Sequence, residues 1–68
     1  MEKDKFEELF MRYLADGFDV IDIELTDDRV IGFDVRKQHY VMEQSYFWFG
    51  GNGLSATIDY RIIKGLAI

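Results

Sequence analysis

His39 is the only histidine in this sequence, and thirteen carboxylates surround it in number if not in place. An imidazole serves as a general base or a metal ligand only with a second group positioned beside it. The chain has no Cys, so disulfides and thiolate zinc sites are excluded. No Ser or second His is spaced to complete a triad or a metal set. His39 is therefore expected at an exposed turn, and no catalytic residue, metal or cofactor is assigned.

Gly50-Gly51-Asn52-Gly53 has the glycine density of a phosphate-cradling loop. Such a loop needs a helix behind it, whose N-terminus holds the phosphate. Here Leu54-Ser55-Ala56-Thr57-Ile58 alternates as a strand, which makes the glycines a hairpin loop that requires positive φ.

Tyr46-Phe47-Trp48-Phe49 is the most unusual local run. Aromatic rings on an open sheet face can stack nucleic-acid bases, and a small ligand could engage Tyr40, Tyr46, Trp48 and His39. Base-stacking faces also need Lys and Arg. Alternation carried through from His39 sends Tyr46 and Trp48 inward and Phe47 and Phe49 outward, with Val41 and Ile63. On that outer face Asp22, Glu24, Asp34, Glu43 and Asp59 outnumber Arg36 and Arg61. The expected contact is a protein with a basic surface, not a nucleic acid. The same register sets Asp22 opposite Asp34 and Glu43 opposite Asp59, like charges that destabilise a sheet pair unless solvated or met by a cationic partner. The carboxylates lack the spacing of a calcium loop. A carboxylate pair could also suggest glycoside hydrolysis, but so small a domain offers no cleft for a sugar.

These side chains are positioned by elements that the apolar periodicity makes visible. Residues 4–16 read as a helix: Phe6, Leu9, Phe10, Tyr13 and Leu14 lie on one face, Asp4 is the expected N-cap with Glu7 at the capping-box position, and Gly17 ends the helix in the left-handed conformation with Phe18 folding back on Tyr13. Ile21, Ile23 and Leu25, then Ile31, Phe33 and Val35, alternate on either side of Asp27-Asp28-Arg29. To share a face they need an odd loop, which places Leu25 across from Ile31. Strands are expected at 18–26, 30–37, 39–49 and 54–63. The expected architecture is α+β in two layers, a single domain over 1–68. One N-terminal helix packs Phe6, Phe10 and Leu14 on a four-stranded antiparallel meander (αββββ, order 1-2-3-4). The other sheet face stays open.

Net charge is −5 and unevenly spread: residues 1–34 hold eleven acids and four bases, residues 35–68 two acids and four bases. That balance argues against a nucleic-acid backbone as partner. No apolar run is long enough to span a bilayer, and the charged start Met1-Glu2-Lys3-Asp4-Lys5 is unlike a signal peptide. A cytoplasmic protein and a complete small reading frame are expected. The compact plan and the acidity have the general look of small inhibitors, immunity proteins and phage accessory proteins. The expected function is a non-enzymatic binding module that occupies a basic or nucleic-acid-binding surface of a larger protein. The alternative is a homo-oligomeric accessory protein that buries the outer face, or the last strand with its apolar tail Ile62–Ile68, against itself.

Overall fold

The computed structural model describes all 68 residues. Helix α1 (Lys3–Ala15) is followed by strands β1 (Val20–Leu25), β2 (Val30–Asp34), β3 (His39–Met42), β4 (Tyr46–Gly51) and β5 (Leu54–Asp59). A 3₁₀ turn (Tyr60–Ile62) then leads into β6 (Ile63–Ala67). The class is α+β, as expected, but the single four-stranded meander is not formed. Six strands make two antiparallel sheets, β2-β1-β6 and β3-β4-β5.

α1 ends as its sequence requires. Gly17 has φ +87°, and its amide and that of Phe18 donate to the carbonyls of Leu14 and Tyr13. The Tyr13 and Phe18 rings meet edge to face at 6.2 Å. The N-cap lies two residues earlier than expected. Glu2 occupies the N-cap position without a side-chain cap, Asp4 lies inside the first turn, and Glu7 reaches Lys3 at 3.7 Å instead of closing a capping box. The Met1 ammonium ties this end to the 3₁₀ turn, donating to the carbonyls of Tyr60 and Ile63 at 2.9 Å each.

The first hairpin keeps the expected parity. Its loop is Thr26-Asp27-Asp28, one residue earlier than expected, with Asp28 at φ +69°. Ile23 rather than Leu25 therefore faces Ile31, and Ile21 faces Phe33. All four remain on the inner side, because an odd loop preserves the face even when it slides.

Three interruptions convert the expected meander into two sheets. At the first, Asp34 accepts from the amides of Lys37 and Gln38, and the buried Gln38 returns its Oε1 to the Asp34 amide at 2.9 Å. The chain turns there without pairing the strands on either side, so β2 and β3 enter different sheets and Val35 does not pair with Tyr40. At the second, Glu43 donates its amide to the Tyr46 carbonyl across the tight turn Gln44-Ser45. The expected third strand thus breaks in two. An even loop inverts the face, which sends Phe47 (0% exposed) and Phe49 (2%) into the core and Tyr46 and Trp48 outward. At the third, Asp59 accepts from the Arg61 amide at 2.8 Å and opens the 3₁₀ turn. That turn shifts the phase again, so Ile63 (1% exposed) is buried and Ile62 is exposed.

The apolar tail packs on the chain's own core beside α1, with Leu66 against that core. It forms β6 and pairs with β1, setting Ile23 against Leu66 and Leu25 against Ile63, with a bulge that leaves Lys64 over. β1, expected at an edge, is central.

The core is shared by both sheets and the helix. Phe10 is fully buried, with ring centroids 5.4 Å from Phe33, 4.9 Å from Tyr40 and 5.2 Å from Phe47. Phe6 sits 5.0 Å from Phe47 and 5.4 Å from Tyr60. Leu14 is only partly buried. So many large rings give a short chain the burial that its length would otherwise deny it.

Candidate protein-binding face

The outer face of β3-β4-β5 is built in rows fixed by register. Val41, Trp48 and Thr57 stand side by side in one row. In the next, Tyr46 is flanked by Asp59 on β5 and by Glu43 at the turn into β4. In the third, Gly50 lies between His39 and Ser55. The turn at the far end is Asn52-Gly53, with φ +57° and +80°, the two left-handed residues that a two-residue hairpin turn demands. Gly50 has a reason of its own: a Cβ there would lie 2.6 Å from Cζ2 and 2.8 Å from Cη2 of Trp48. The indole lies over the bare backbone of that glycine. His39 is exposed at the start of β3.

A shallow cavity of about 250 Å³ opens on this face, lined by Val41, Glu43, Tyr46, Trp48 and Thr57. A larger groove of about 690 Å³ runs past the start of α1, beside Lys3, Asp4, Gln44, Ser45, Asp59 and Arg61. Met1 and Tyr60 are its only hydrophobic lining residues, its Asp59 and Arg61 are already paired, and no buried polar side chain lacks a partner. The smaller cavity, with two aromatic rings around it, is the better candidate for recognition.

The expected contact residues separate into three groups. Phe47, Phe49 and Ile63 belong to the core and contribute no surface, for the reasons of parity given above. Val41, Glu43, Asp22 and Glu24 reach the surface, the last two half-buried. Asp34 and Asp59 are tied up locally. Each stands two residues before an arginine, as does Asp27, and the three Asp-x-Arg units fold alike. The Arg amide donates to Asp Oδ1 at 3.0 Å (Arg36), 2.8 Å (Arg61) and 3.1 Å (Arg29), while the guanidinium closes on the same carboxylate. The Arg61 side chain and amide hold Asp59 down to a pKa of about 2 from the usual 3.8. Arg36 lowers Asp34 chiefly through its side chain, and Arg29 lowers Asp27 chiefly through its amide. The spacing Asp-x-Arg, present three times, was the sequence signal for this neutralisation.

The expected like-charge pairs do not arise. Asp22 faces Gly32 and Ala67, Glu24 faces Val30 and Gly65, and Asp59 faces Tyr46. Small residues beside Asp22 and Glu24 leave both carboxylates room: a Cβ on Gly65 would come within 3.1 Å of Glu24 Oε1. Asp22, Glu24 and Glu43 make no ion pair.

The chain was compared with protein-family models, with curated proteins and with solved structures, and matches none of them. No helix is long and apolar enough to cross a membrane.

Proposed function

We propose that this chain is a small, acidic, non-enzymatic protein-binding module. It seats the outer face of β3-β4-β5 on a basic surface of a larger protein, such as one that otherwise receives nucleic acid. The observation that supports this reading is the placement of Tyr46, Trp48 and Val41 together on an open sheet face. Tyr and Trp are the residue types that most often concentrate binding energy, because a large ring buries much area for little lost freedom. With three Asp-x-Arg units internally neutralised, Glu43 is the unpaired acid on this face that would orient the partner, while Asp22 and Glu24, on the other sheet, add only to the net charge of −5 that would accelerate the encounter. Occupying a cationic surface would make the module an inhibitor of whatever that surface binds.

A second reading is a homo-oligomer formed through the free edges. β5 and β6 each have one unpaired side, and Leu54 (65% exposed), Ile62 and Ile68 lie beside them.

Two measurements test these readings. In affinity capture from lysate, the wild type is compared with a Trp48→Ala/Tyr46→Ala variant whose fold is verified by circular dichroism. The module reading expects a protein held by the wild type, lost from the variant and released by salt. Equal capture by both would refute this face. Light scattering across a hundredfold dilution expects a monomer, and a stable higher mass favours the second reading.

A further inference from the structure

The cavity on β4 is electron-rich and holds no cation of its own. The six-membered ring of Trp48 lies against Gly50, where no Cβ stands in its way, and the half-buried indole forms one wall of the cavity. Aromatic faces carry partial negative charge. Tyr46 adds a second ring two positions along the same strand, and Glu43 adds a full negative charge at the rim. Asp59, the next acid on this face, is closed by Arg61 at 2.7 Å. Glu43 has no such partner, and no lysine or arginine lines the cavity.

We propose that this cavity receives the guanidinium of an arginine side chain presented by a basic segment of the partner protein. Its plane stacks on Trp48 and its N–H groups turn to the Glu43 carboxylate. A guanidinium suits both walls at once: it is planar, weakly hydrated and forked to match a carboxylate, whereas an ammonium is a strongly hydrated point charge. Val41 and Thr57 line the side along which the methylenes of the stem would lie. The inference rests on the protein-binding reading and names what that face recognises.

Trp48 is the only tryptophan, so its emission reports on the cavity alone. The full chain is titrated with three short Gly-Ser peptides of equal length carrying three arginines, three lysines or three citrullines. Trp48 emission and calorimetric heat are followed in parallel. The arginine peptide is expected to change the emission and saturate. The lysine peptide should bind at least about threefold more weakly, and the neutral citrulline peptide not measurably. Glu43→Gln should weaken the arginine peptide about three- to tenfold, the range of one exposed charge-assisted contact. Tyr46→Ala gives an independent second variant. Equal binding of the citrulline peptide, or no effect of Glu43→Gln, overturns the proposal. Heat from both cationic peptides with no change at Trp48 overturns the cavity while leaving a basic partner in place. Silence from all three peptides overturns the cavity as well, and the capture comparison above then decides separately whether the face binds protein at all.

Discussion

Replacing Phe47 and Trp48 in turn tests the inverted face of β4 on which the whole site depends. Phe47 is fully buried, with ring centroids 5.0 Å from Phe6, 5.2 Å from Phe10, 6.0 Å from Tyr40 and 6.0 Å from Phe49. Phe47→Ala removes the ring from the middle of that cluster, a change that costs about 3–5 kcal/mol in a core that cannot collapse around the hole. A domain of this length has roughly 3–10 kcal/mol in total, at ~0.05–0.15 kcal/mol per residue. Phe47→Ala is thus expected at or beyond the edge of unfolding. Trp48→Ala removes a ring that lies on the surface over Gly50 and beside Val41, about 1 kcal/mol on the scale of one cross-strand pair. The assay is urea unfolding followed by far-ultraviolet circular dichroism. With a slope of about 1 kcal/mol per molar urea, Phe47→Ala should lower the midpoint by about 3–5 M and Trp48→Ala by about 1 M. Phe47→Leu, about 1–1.5 kcal/mol, keeps the comparison measurable if the alanine variant does not fold. Equal losses at the two positions, or a larger loss at Trp48, would refute the turn at Gln44-Ser45 and with it the exposed aromatic face.

Three further outcomes are expected. Gly17 and Gly51 both have positive φ, but a Cβ on Gly17 meets nothing within 4 Å while one on Gly51 comes within 2.8 Å of the Lys37 carbonyl. Denaturation should show Gly17→Ala costing about 1–2 kcal/mol and Gly51→Ala distinctly more; equal costs would contradict the close approach. Asp59 has its folded pKa depressed to about 2, so the stability that its ionised form contributes is complete above the usual 3.8 and is lost as pH falls from there through about 2. Carboxyl-carbon NMR should give that low midpoint, Arg61→Gln should raise it, and an Asp59 midpoint near 3.8 in the wild type would break the Asp-x-Arg account. Deleting residues 65–68 removes the pairing of Gly65, Leu66 and Ala67 with β1 and uncovers Ile23. The truncated chain should melt earlier while its light-scattering mass per chain is unchanged, and unaltered stability would show that β6 does not hold the monomer together.

What the sequence made legible was what depended on neighbours along the chain. The helix and its Schellman end at Gly17 and Phe18 are set by residues within a few positions of each other; the glycine run is likewise a hairpin loop, but Gly50 and Gly51 pair within β4 and β5, and only Asn52-Gly53 make the turn. The first hairpin kept its face because the apolar positions on both sides are odd-numbered, so any odd loop satisfies them. The face of β4 was lost at one point. The inward residues are at 40 and 42, then at 47 and 49, and the shift from even to odd falls on Glu43-Gln44-Ser45, three polar residues read as continuous strand; because 41, 46 and 48 are apolar too, the pattern itself does not show the shift. The partner of β6 was not legible because β1 lies some forty positions away in the chain, and nothing in the tail's own pattern distinguishes an intramolecular edge from another chain's. Of the residues expected on the outer face, Val41 and Glu43 are exposed because they lie before the shift, whereas Phe47, Phe49 and Ile63 lie after one and are buried.

The aromatic run itself carries the strongest reason to look for a partner at this face. With one face of β3-β4-β5 uncovered, four rings in consecutive positions of β4 cannot all be buried, since alternate side chains point to opposite sides. Whichever parity the turn selects, two large rings must face solvent. The contrast with β1 is direct: there the outward positions between Ile21, Ile23 and Leu25 are Asp22 and Glu24, as solubility alone would choose. On β4 the outward positions between Phe47 and Phe49 are Tyr46 and Trp48, and the following outward position is Gly50, which gives the indole a flat seat. A chain selected only to fold would gain more from polar residues at 46 and 48, which would remove an exposed apolar patch and its cost in association. Other strands also expose single apolar residues, such as Val20, Val30 and Leu54, but the pairing of two large rings on one outward row of positions falls on β4, beside the cavity that Glu43 rims, and it is on this coincidence that the proposed binding face rests.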